Sequence, residues 1–484
     1  MRNGKRTLLD WLGLSDTPDW RVARPLGPLL SVILALLFIG AVTAAFVALA
    51  RAISGSEGTT GLGTGALVIG LLGAPFLVWS TVIKHQTLRY QKEGHITDRI
   101  SRAVEQLGSE KTVKKAGREE TVPNIEVRIG AILSLERIAQ DSTTHDNGRD
   151  HVRVMEILCA YVRENAKAET AEDHPFGEWK PLKEDATAEE RKAYDKRARQ
   201  LGDWAFNLKP PRADVQLALT VIGRRTAEQR RVEAAWPEPP TDSTVWPFDR
   251  PFPPAPQSEG DANLPREQNG DLESELSDWA MALRSYSGYR LNLRGANLQS
   301  ADLSAKRPDA SDSVFSGALL DGARMEGVRL NNARIEQAQL SWARMEGARL
   351  GNARLMDAFL LGVSLEGAKL DRTRMQDASL FGARLDAALL EKVEMNSRTD
   401  LMGATLRGAA LRVLNLSEFF LAADQINSAF GDASVTLPEG IARPAHWPVW
   451  ELPPYYGLHD FDTEWRQWRA DPAAYTPPPP PGSD

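Results

Sequence analysis

The chain has 484 residues, 42% of them hydrophobic and 25% charged, so it is long enough for several domains and ordinary enough in composition to be mostly folded. Its formal net charge of -7 gives no reason to expect a nucleic-acid partner. The single cysteine, Cys159, excludes an intrachain disulfide framework and is expected to be a buried helix thiol.

Two long apolar segments dominate the amino-terminal end. Residues 26–50 and 61–83 contain no charged residue, and each segment exceeds the roughly 20 residues that cross a bilayer as a helix. The motif Ala48-Leu49-Ala50 suits signal-peptide cleavage, but the apolar run is too long for a signal peptide and a second run follows it. After a short segment 1–25, we therefore expect a two-helix transmembrane hairpin over residues 26–85 that contacts the lipid bilayer as an anchor.

Basic residues flank this hairpin on its outer sides. They are Arg2, Lys5, Arg6, Arg21 and Arg24 before it and Lys84, Arg89 and Lys92 after it, against Arg51 alone in the connection. This asymmetry predicts an inner (cell) membrane protein with both termini in the cytoplasm. Small residues recur every four positions in both spans, which lets the two helices approach closely or, alternatively, pairs protomers in a homo-oligomer.

Residues 86–236 are polar, with apolar residues at helical spacing. Apolar positions recur at steps of three and four in 100–107, 125–138, 152–162 and 215–222, which predicts a small cytoplasmic helical domain. The segment HDNGRDH (145–151) matches no metal-ligand spacing, and we expect a solvated loop with Asp150 as the N-cap of the next helix. Basic KTVKK (111–115) is a weak candidate for lipid contact because glutamates flank it.

A Pro-rich linker, residues 237–270, is expected to be stiff and without a core of its own. Residues 271–289 are expected to form a helical lead-in or cap. From residue 290 to 426, large apolar residues then recur every fifth position, without a break from Phe315 to Met395. Neither a helix nor a flat strand keeps such residues on one face. The backbone must turn a corner at each repeat, with the large residue (the centre) and the alanine two positions before it facing inward.

The segment GANLQSADLS, continued as GARMEGVRLNNARI, resembles the pentapeptide-repeat family. The segments EQLGS, NIEVRIGAILSLERIAQDS, VMEILCAYVREN, DVQLALTVIGRR and INSAFGDASVTLPEG resemble bacterial membrane-anchored members with two spans ahead of the repeats. The resemblance implies a right-handed, four-sided β-helix with four repeats per coil. Residues 427–484 are expected to form a C-terminal cap and an aromatic, Pro-rich tail that docks on the solenoid or binds a partner. It implies an interaction or scaffold role and brings no catalytic residues. The departures from the family pattern are Arg in place of the usual Asp or Asn before the centre, the spacer SAKRPDASDSV after Leu303, and one extra residue before Leu401.

Steps of twenty residues sort the outward side chains onto four faces. The face around Met325 carries Arg-acid pairs and is expected to be a self-neutralised, solvated wall. Another face carries Arg334, Arg354 and Arg374, a candidate anion-binding ladder. The face around Leu320 has outward apolar residues and is the candidate interaction face, covered by the helical domain or the tail, or else by another molecule; its residues are Leu319, Trp342, Phe359, Leu361 and Phe381.

These patterns favour a non-enzymatic, membrane-anchored scaffold that presents a β-solenoid surface to an unidentified protein partner at the cytoplasmic face of the membrane. No catalytic, cofactor-binding or metal-binding residue is expected. One alternative is a DNA-mimic regulator of a topoisomerase. Residues 290–416 hold 18 Lys or Arg and 15 Asp or Glu, a net charge of +3, whereas a DNA mimic needs a strongly acidic surface. A membrane sensor or oligomeric pore is the other alternative, and the spans lack the ionisable groups that mark a pathway.

Overall fold

The structure is a computed structural model. It describes isolated positions between residues 39 and 50 and then residues 96–175, 187–250, 278–454 and 459–481, apart from residues 116, 146 and 309. The predicted hairpin (26–85) lies outside the described residues except for those isolated positions, and it stays a prediction. No helix in the described part of the chain combines the length and apolar character needed to cross a bilayer. The chain divides into two compact units, Met1–Arg102 and Ala103–Asp484.

The second unit begins with a helical domain that contains one β-hairpin. Strands β1 (Glu110–Lys115) and β2 (Arg118–Pro123) pair antiparallel, with Lys114 opposite Glu119. This hairpin corrects the expectation of helices throughout the segment, and it sets only Lys114 of KTVKK opposite an acidic residue, since Lys111 faces Val122 and Lys115 faces Arg118. The helices that follow are α1 (Ile125–His145), α2 (Arg149–Asn165), α3 (Ala188–Asn207), α4 (Ala213–Gly223) and α5 (Ala227–Ala235).

The core of the helical domain follows the apolar spacing. Leu135 of α1, Leu158 of α2 and Leu219 of α4 are fully buried, and α1, α2 and α4 pack on one another. Cys159 is buried on α2, and burial raises the pKa of its thiol to about 11, as expected for a structural cysteine. Val104, on the 100–107 stripe, is exposed instead.

The segment 145–151 is not a solvated loop. Gly148, with φ of 82°, precedes α2, and Asp150 lies inside the first turn, where it pairs with Arg153 at 3.0 Å. His151 is fully buried with its Nε2 2.9 Å from Glu233 on α5. The segment is therefore a helix start tied to the core. Within the described ranges, no cluster of His, Cys, Asp or Glu has the geometry of a metal site.

The repeats form a four-sided β-helix. From Val314 to Glu394, parallel bridges join residues 20 positions apart, so four five-residue sides complete one coil. Centres such as Leu350 and alanines such as Ala348 are fully buried. The backbone turns each corner at the residue two positions after a centre, which takes a positive φ, as at Gly347 with φ of 67°. This corner accounts for the five-residue period.

Two departures from the repeat change the coil length locally without ending the ladder. The spacer after Leu303 separates bridge partners by 27 residues, as in Asp302 with Arg329, and the extra residue separates Ser379 from Asp400 by 21. The coils also continue beyond residue 426. The last strands are β3 (Leu389–Glu391), β4 (Ala410–Arg412), β5 (Leu414–Asn415), β6 (Phe430–Gly431) and β7 (Val435–Thr436). Strands β3, β4 and β6 form one parallel sheet, and β5 pairs with β7. A short helix, α6 (Ala423–Asn427), interrupts the final coil.

Other parts of the chain cover both ends of the β-helix. At the start, the Arg163 guanidinium donates to the Asn292 carbonyl at 2.6 Å. The Gln216 side-chain amide donates to the carbonyl of Asp302 and accepts from its backbone N–H. At the end, helix α7 (Phe461–Ala470) and the preceding segment pack Trp447, Leu452, Phe461 and Trp468 around Phe430. The aromatic tail is thus an end cap.

The described part of the Pro-rich linker has a core, contrary to expectation. Trp246 and Phe248 are buried in a cluster with Trp279 and Leu283 from helical residues 278–284 and with Met356 of the β-helix. The helical lead-in therefore lies along the side of the solenoid. Residues 251–277 lie outside the described part.

Replacing Leu350 with Asp is expected to destabilise the β-helix by about 3 kcal/mol or more, because a carboxylate would be buried among stacked apolar centres without a partner. Urea unfolding of the full chain, followed by circular dichroism, measures the loss. The matched control is Lys369→Asp on the adjacent coil, where the side chain is exposed. Equal effects of the two changes would contradict the inward assignment of Leu350.

Candidate functional site

The four faces of the β-helix differ in what lies on them. Each is named here after the centre of its first regular coil: the Phe315, Leu320, Met325 and Leu330 faces. Since neighbouring coils stack at the spacing of paired strands, about 4.8 Å, outward side chains 20 residues apart form continuous columns.

The Met325 face is buried beneath α3, which corrects the expectation of a solvated wall. Tyr194 of α3 donates a hydrogen bond to Asp386, and Tyr194, Ala198 and Leu201 pack with Ala387. A Cβ added to Gly327 would lie 2.3 Å from the carbonyl oxygen of Ala205. Glycine at this corner therefore allows the helix backbone to touch the solenoid.

A column of carboxylates lies under this helix. Glu326, Glu346, Glu366 and Asp386, one per coil, are all buried. Arg344 Nε lies 3.2 Å from Glu326 and 3.1 Å from Glu346, and Arg384 Nε lies 2.7 Å from Glu366. The third coil has Ser364 where the others have arginine, so carboxylates outnumber the arginines of the column.

Burial, together with neighbouring negative charge, raises the pKa of two carboxyls in the column. Burial and the nearby charge of Glu326 raise the pKa of Glu346 from its ordinary value to about 7, against the opposing effect of Arg344. Burial and the charge of Glu346 raise the pKa of Glu366 well above its ordinary value. The packing between α3 and the β-helix is therefore linked to proton binding.

The arginine ladder of the Phe315 face was expected to be exposed to solvent, but most of it is shielded. Arg334 is 7% exposed, lies 3.0 Å from Asp249, donates to the Phe248 carbonyl and stands over the Trp246 ring. The Arg354 side chain is 13% exposed with its Nε 2.8 Å from Glu336, and only Arg374 is substantially exposed, at 39%. The linker was expected to lack a core, and its packing on this face is what removes Arg334 from solvent.

The Leu320 face carries exposed apolar side chains in two neighbouring columns and at one corner. They are Trp342 (66% exposed), Phe359 (41%), Leu361 (38%), Phe381 (45%) and Met402 (61%), and they are called the apolar strip below. Backbone bonds from Gly362 to Phe381 and from Gly382 to Met402, each 2.9 Å, hold the coils in register. The strip is therefore contiguous and rigid.

Trp342 occupies a corner position with φ of 60°, where most repeats of this face have glycine. The left-handed region costs a side-chain-bearing residue about 1 kcal/mol or more. The ring lies over Gly362, where an added Cβ would be 2.5 Å from Cζ3 of the indole. An exposed aromatic held at a strained corner is typical of a binding surface.

The strip differs from the expected interaction face in three respects. The helical domain packs on the Met325 face and the start of the coils, and the tail packs on their end, so the expected cover by either is wrong for the described residues. Leu319 is half-buried rather than exposed. Its bridge partner Gln339 lies between it and Phe359, so Leu319 does not adjoin the strip. Met402 was missed because the faces were sorted by steps of twenty residues, whereas the extra residue before Leu401 makes this coil one residue longer. A step of twenty-one residues from Phe381 leads to Met402.

Fold and surface together define a solenoid with one apolar outer face. Residues 311–347 and 348–386 match the family model of pentapeptide repeats, with eight copies. Residues 311–386 of the β-helix are therefore pentapeptide repeats. A comparison with curated proteins gives no match.

Several solved pentapeptide repeat proteins are similar over part of the chain. HetL from Nostoc sp. strain PCC 7120, involved in heterocyst differentiation regulation, is 24% identical, with 33% of this chain and 91% of HetL covered and a TM-score of 0.18. Rfr23 from the cyanobacterium Cyanothece 51142 is 20% identical, with 30% and 87% covered and a TM-score of 0.18. QnrB1, a plasmid-mediated fluoroquinolone resistance protein, is 14% identical, with 32% and 76% covered and a TM-score of 0.17. At such TM-scores these likenesses add nothing to the family match.

Replacing Glu346 with Gln is expected to flatten the pH dependence of stability. A carboxyl whose pKa is raised in the folded state binds its proton more tightly there than in the unfolded chain. The folded state therefore loses stability as the pH rises from the ordinary pKa of glutamate toward about 7. Each such proton contributes a slope of about 1.4 kcal/mol per pH unit. In thermal unfolding between pH 5 and 8, the Tm of the variant should increase relative to the Tm of the parent as the pH rises. Parallel curves would contradict the linkage, and Glu126→Gln, at an exposed position, is the control.

Proposed function

We propose that the chain is a non-enzymatic, membrane-anchored scaffold that docks a protein partner on the apolar strip. The observation that carries the proposal is the strip itself: a contiguous run of exposed aromatic and aliphatic side chains on a rigid ladder. A large exposed apolar patch costs solubility unless a partner covers it. Aromatic side chains at the centre of such a patch are the usual binding anchors.

The distribution of the chain over the β-helix supports this role. The linker packs on the Phe315 face, α3 on the Met325 face, and the helical domain and tail on the two ends. These contacts make the helical domain and the repeats one body rather than flexibly linked modules. A partner bound to the strip would thus be held at a fixed position relative to the helical domain.

The anchor belongs to the same proposal. The two uncharged spans over residues 26–85 and the basic residues outside them support a location in the inner membrane of a bacterial cell, with the repeats on the cytoplasmic side. Small-residue stripes in these spans support close helix pairing, within one chain or between protomers.

The alternatives receive less support. A DNA mimic needs carboxylates on its outer surface, whereas Glu326, Glu346 and Glu366 are buried beneath α3. A sensor or pore needs polar groups inside the spans, and residues 26–50 and 61–83 hold no charged side chain. The scaffold is therefore the preferred function.

Removing Phe359 and Phe381 together, as F359A/F381A, is expected to lower partner crosslinking at least about tenfold, because buried aromatic anchors supply about 2 kcal/mol or more each. A photocrosslinking residue placed at Ser379, the bridge partner of Phe359 on the coil of Phe381, reports the contact in intact cells, and mass spectrometry identifies the product. The fold should survive, since both side chains point outward.

The matched control is F420A/V449A, which removes two exposed apolar side chains outside the strip. It should leave the crosslink unchanged. A crosslinked partner that survives F359A/F381A, or no partner-specific product at all, would reject docking on the strip.

The anchor has a separate test. Reporter fusions after residue 60 and after Asp484 should give a periplasmic signal for the first and a cytoplasmic signal for the second, because the basic residues flank the hairpin on its outer sides. A periplasmic signal after Asp484 would overturn the orientation.

A further inference from the structure

An open cleft of about 280 Å³ lies at the corner between the Leu330 and Phe315 faces, away from the apolar strip. Three of its lining side chains are cations and one is a carboxylate. The lining residues are Pro308, Asn352, Arg372, Arg374, Lys392 and Glu394.

Successive coils build the floor of this cleft. Arg372 and Lys392 occupy the same corner position one coil apart, each with φ of 54°. The two preceding coils place Asn332 and Asn352 at this corner, and their side-chain amides bond each other at 3.2 Å. The corner thus carries a column of two amides followed by two cations.

The spacer that interrupts the repeats supplies the wall. The Asn332 amide donates to the carbonyl of Ala305 in the spacer at 3.0 Å, which fixes the spacer against the corner column. Pro308 of the same spacer lines the cleft, and its neighbours Lys306 and Arg307 are exposed cations. The interruption therefore has a structural result: it encloses a site that a regular solenoid would leave flat.

Charge in the cleft is unbalanced. The carboxylate of Glu394 accepts from the Gln376 amide at 3.0 Å and lies 3.5 Å from Arg374. Arg372 and Lys392 are exposed, and among the described residues neither forms an ion pair. Because the coil backbone holds these cations near one another, a bound anion would relieve their repulsion.

We propose that this cleft binds a phosphate-bearing anion, with Arg372 and Lys392 as the recognising pair. The guanidinium fork of arginine matches two phosphate oxygens at once, and the lysine ammonium adds a point charge. The volume lies just below the roughly 300–1,000 Å³ typical of small-molecule sites, so it suits a phosphate group with a small substituent. Such a group has two sources, a free phosphate compound or the head group of an anionic lipid.

The site is independent of the apolar strip, since the cleft and the strip lie on different corners of the coil. Loss of partner docking would leave anion binding intact, and loss of anion binding would leave docking intact. Failure of this proposal is thereby distinguishable from failure of the scaffold proposal.

The test is isothermal titration calorimetry of the full chain in an uncharged detergent, with inorganic pyrophosphate as the probe. Saturable binding is expected, and R372Q/K392Q should weaken it at least tenfold. The matched control is R137Q/R466Q, which removes the same charge from two exposed helix positions outside the cleft. The control should bind like the parent, and circular dichroism verifies that every variant is folded.

A second titration uses dihexanoyl phosphatidic acid below its micellar concentration, which carries a phosphate monoester on a glycerolipid. Tighter binding of this lipid than of pyrophosphate, dependent on the Arg372 and Lys392 pair, identifies a head group as the ligand. Tighter binding of pyrophosphate identifies a free phosphate compound. Saturable binding of neither probe, or an equal loss in R372Q/K392Q and the control variant, overturns the proposal.

Discussion

The β-helix depends on one backbone event, the left-handed corner that follows each centre from Phe315 to Leu390. Without the corner, a large apolar residue at every fifth position would alternate between two sides of a strand. With it, Leu350 and its equivalents all face inward and stack on the next coil. The corner also sets the hydrogen-bond ladder, because the amide at each corner, as at Gly347, donates to the next coil, here to Glu366 at 2.8 Å.

Since the corner residue always points away from the core, its identity decides what each edge of the solenoid can do. Glycine at Gly327 and Gly347 lets the backbone of α3 approach. Tryptophan at Trp342 enlarges the apolar strip, and the cations Arg372 and Lys392 form the floor of the cleft. One repeated backbone conformation thus carries helix docking, the proposed protein contact and the proposed anion site.

The solenoid could be predicted from the sequence because the five-residue period of the repeats is a local property of the chain. Inward and outward positions and the two irregularities could be read from spacing, whereas the four sides per coil came from the resemblance to the pentapeptide-repeat family. Which faces are covered could not be read from spacing, because cover depends on contacts between segments distant in sequence. Arg324 with Glu326 looks like a solvated pair by spacing alone, yet α3 buries the glutamate. Likewise, Trp246 and Phe248 stand among prolines, and no periodicity shows that they bury Arg334.

A periodic surface raises a problem of register for any helix that docks on it. Apolar contact alone would let α3 shift along the column by one coil, about 4.8 Å, at little cost. The irregular members of the Met325 face remove this freedom. Only the coil of Asp386 has alanine at the corner, Ala387, where three coils before it have glycine, and only there does Tyr194 find an acceptor beside an apolar contact. At the other end, Arg324 reaches Asp173 at 2.9 Å. Buried charge is a weak source of stability, and in some proteins it instead fixes the register of packed elements. The contacts of Tyr194 with Asp386 and of Arg324 with Asp173 therefore distinguish one register of the helical domain from the next, and the raised pKa of Glu346 is a consequence of burial beneath the same helix.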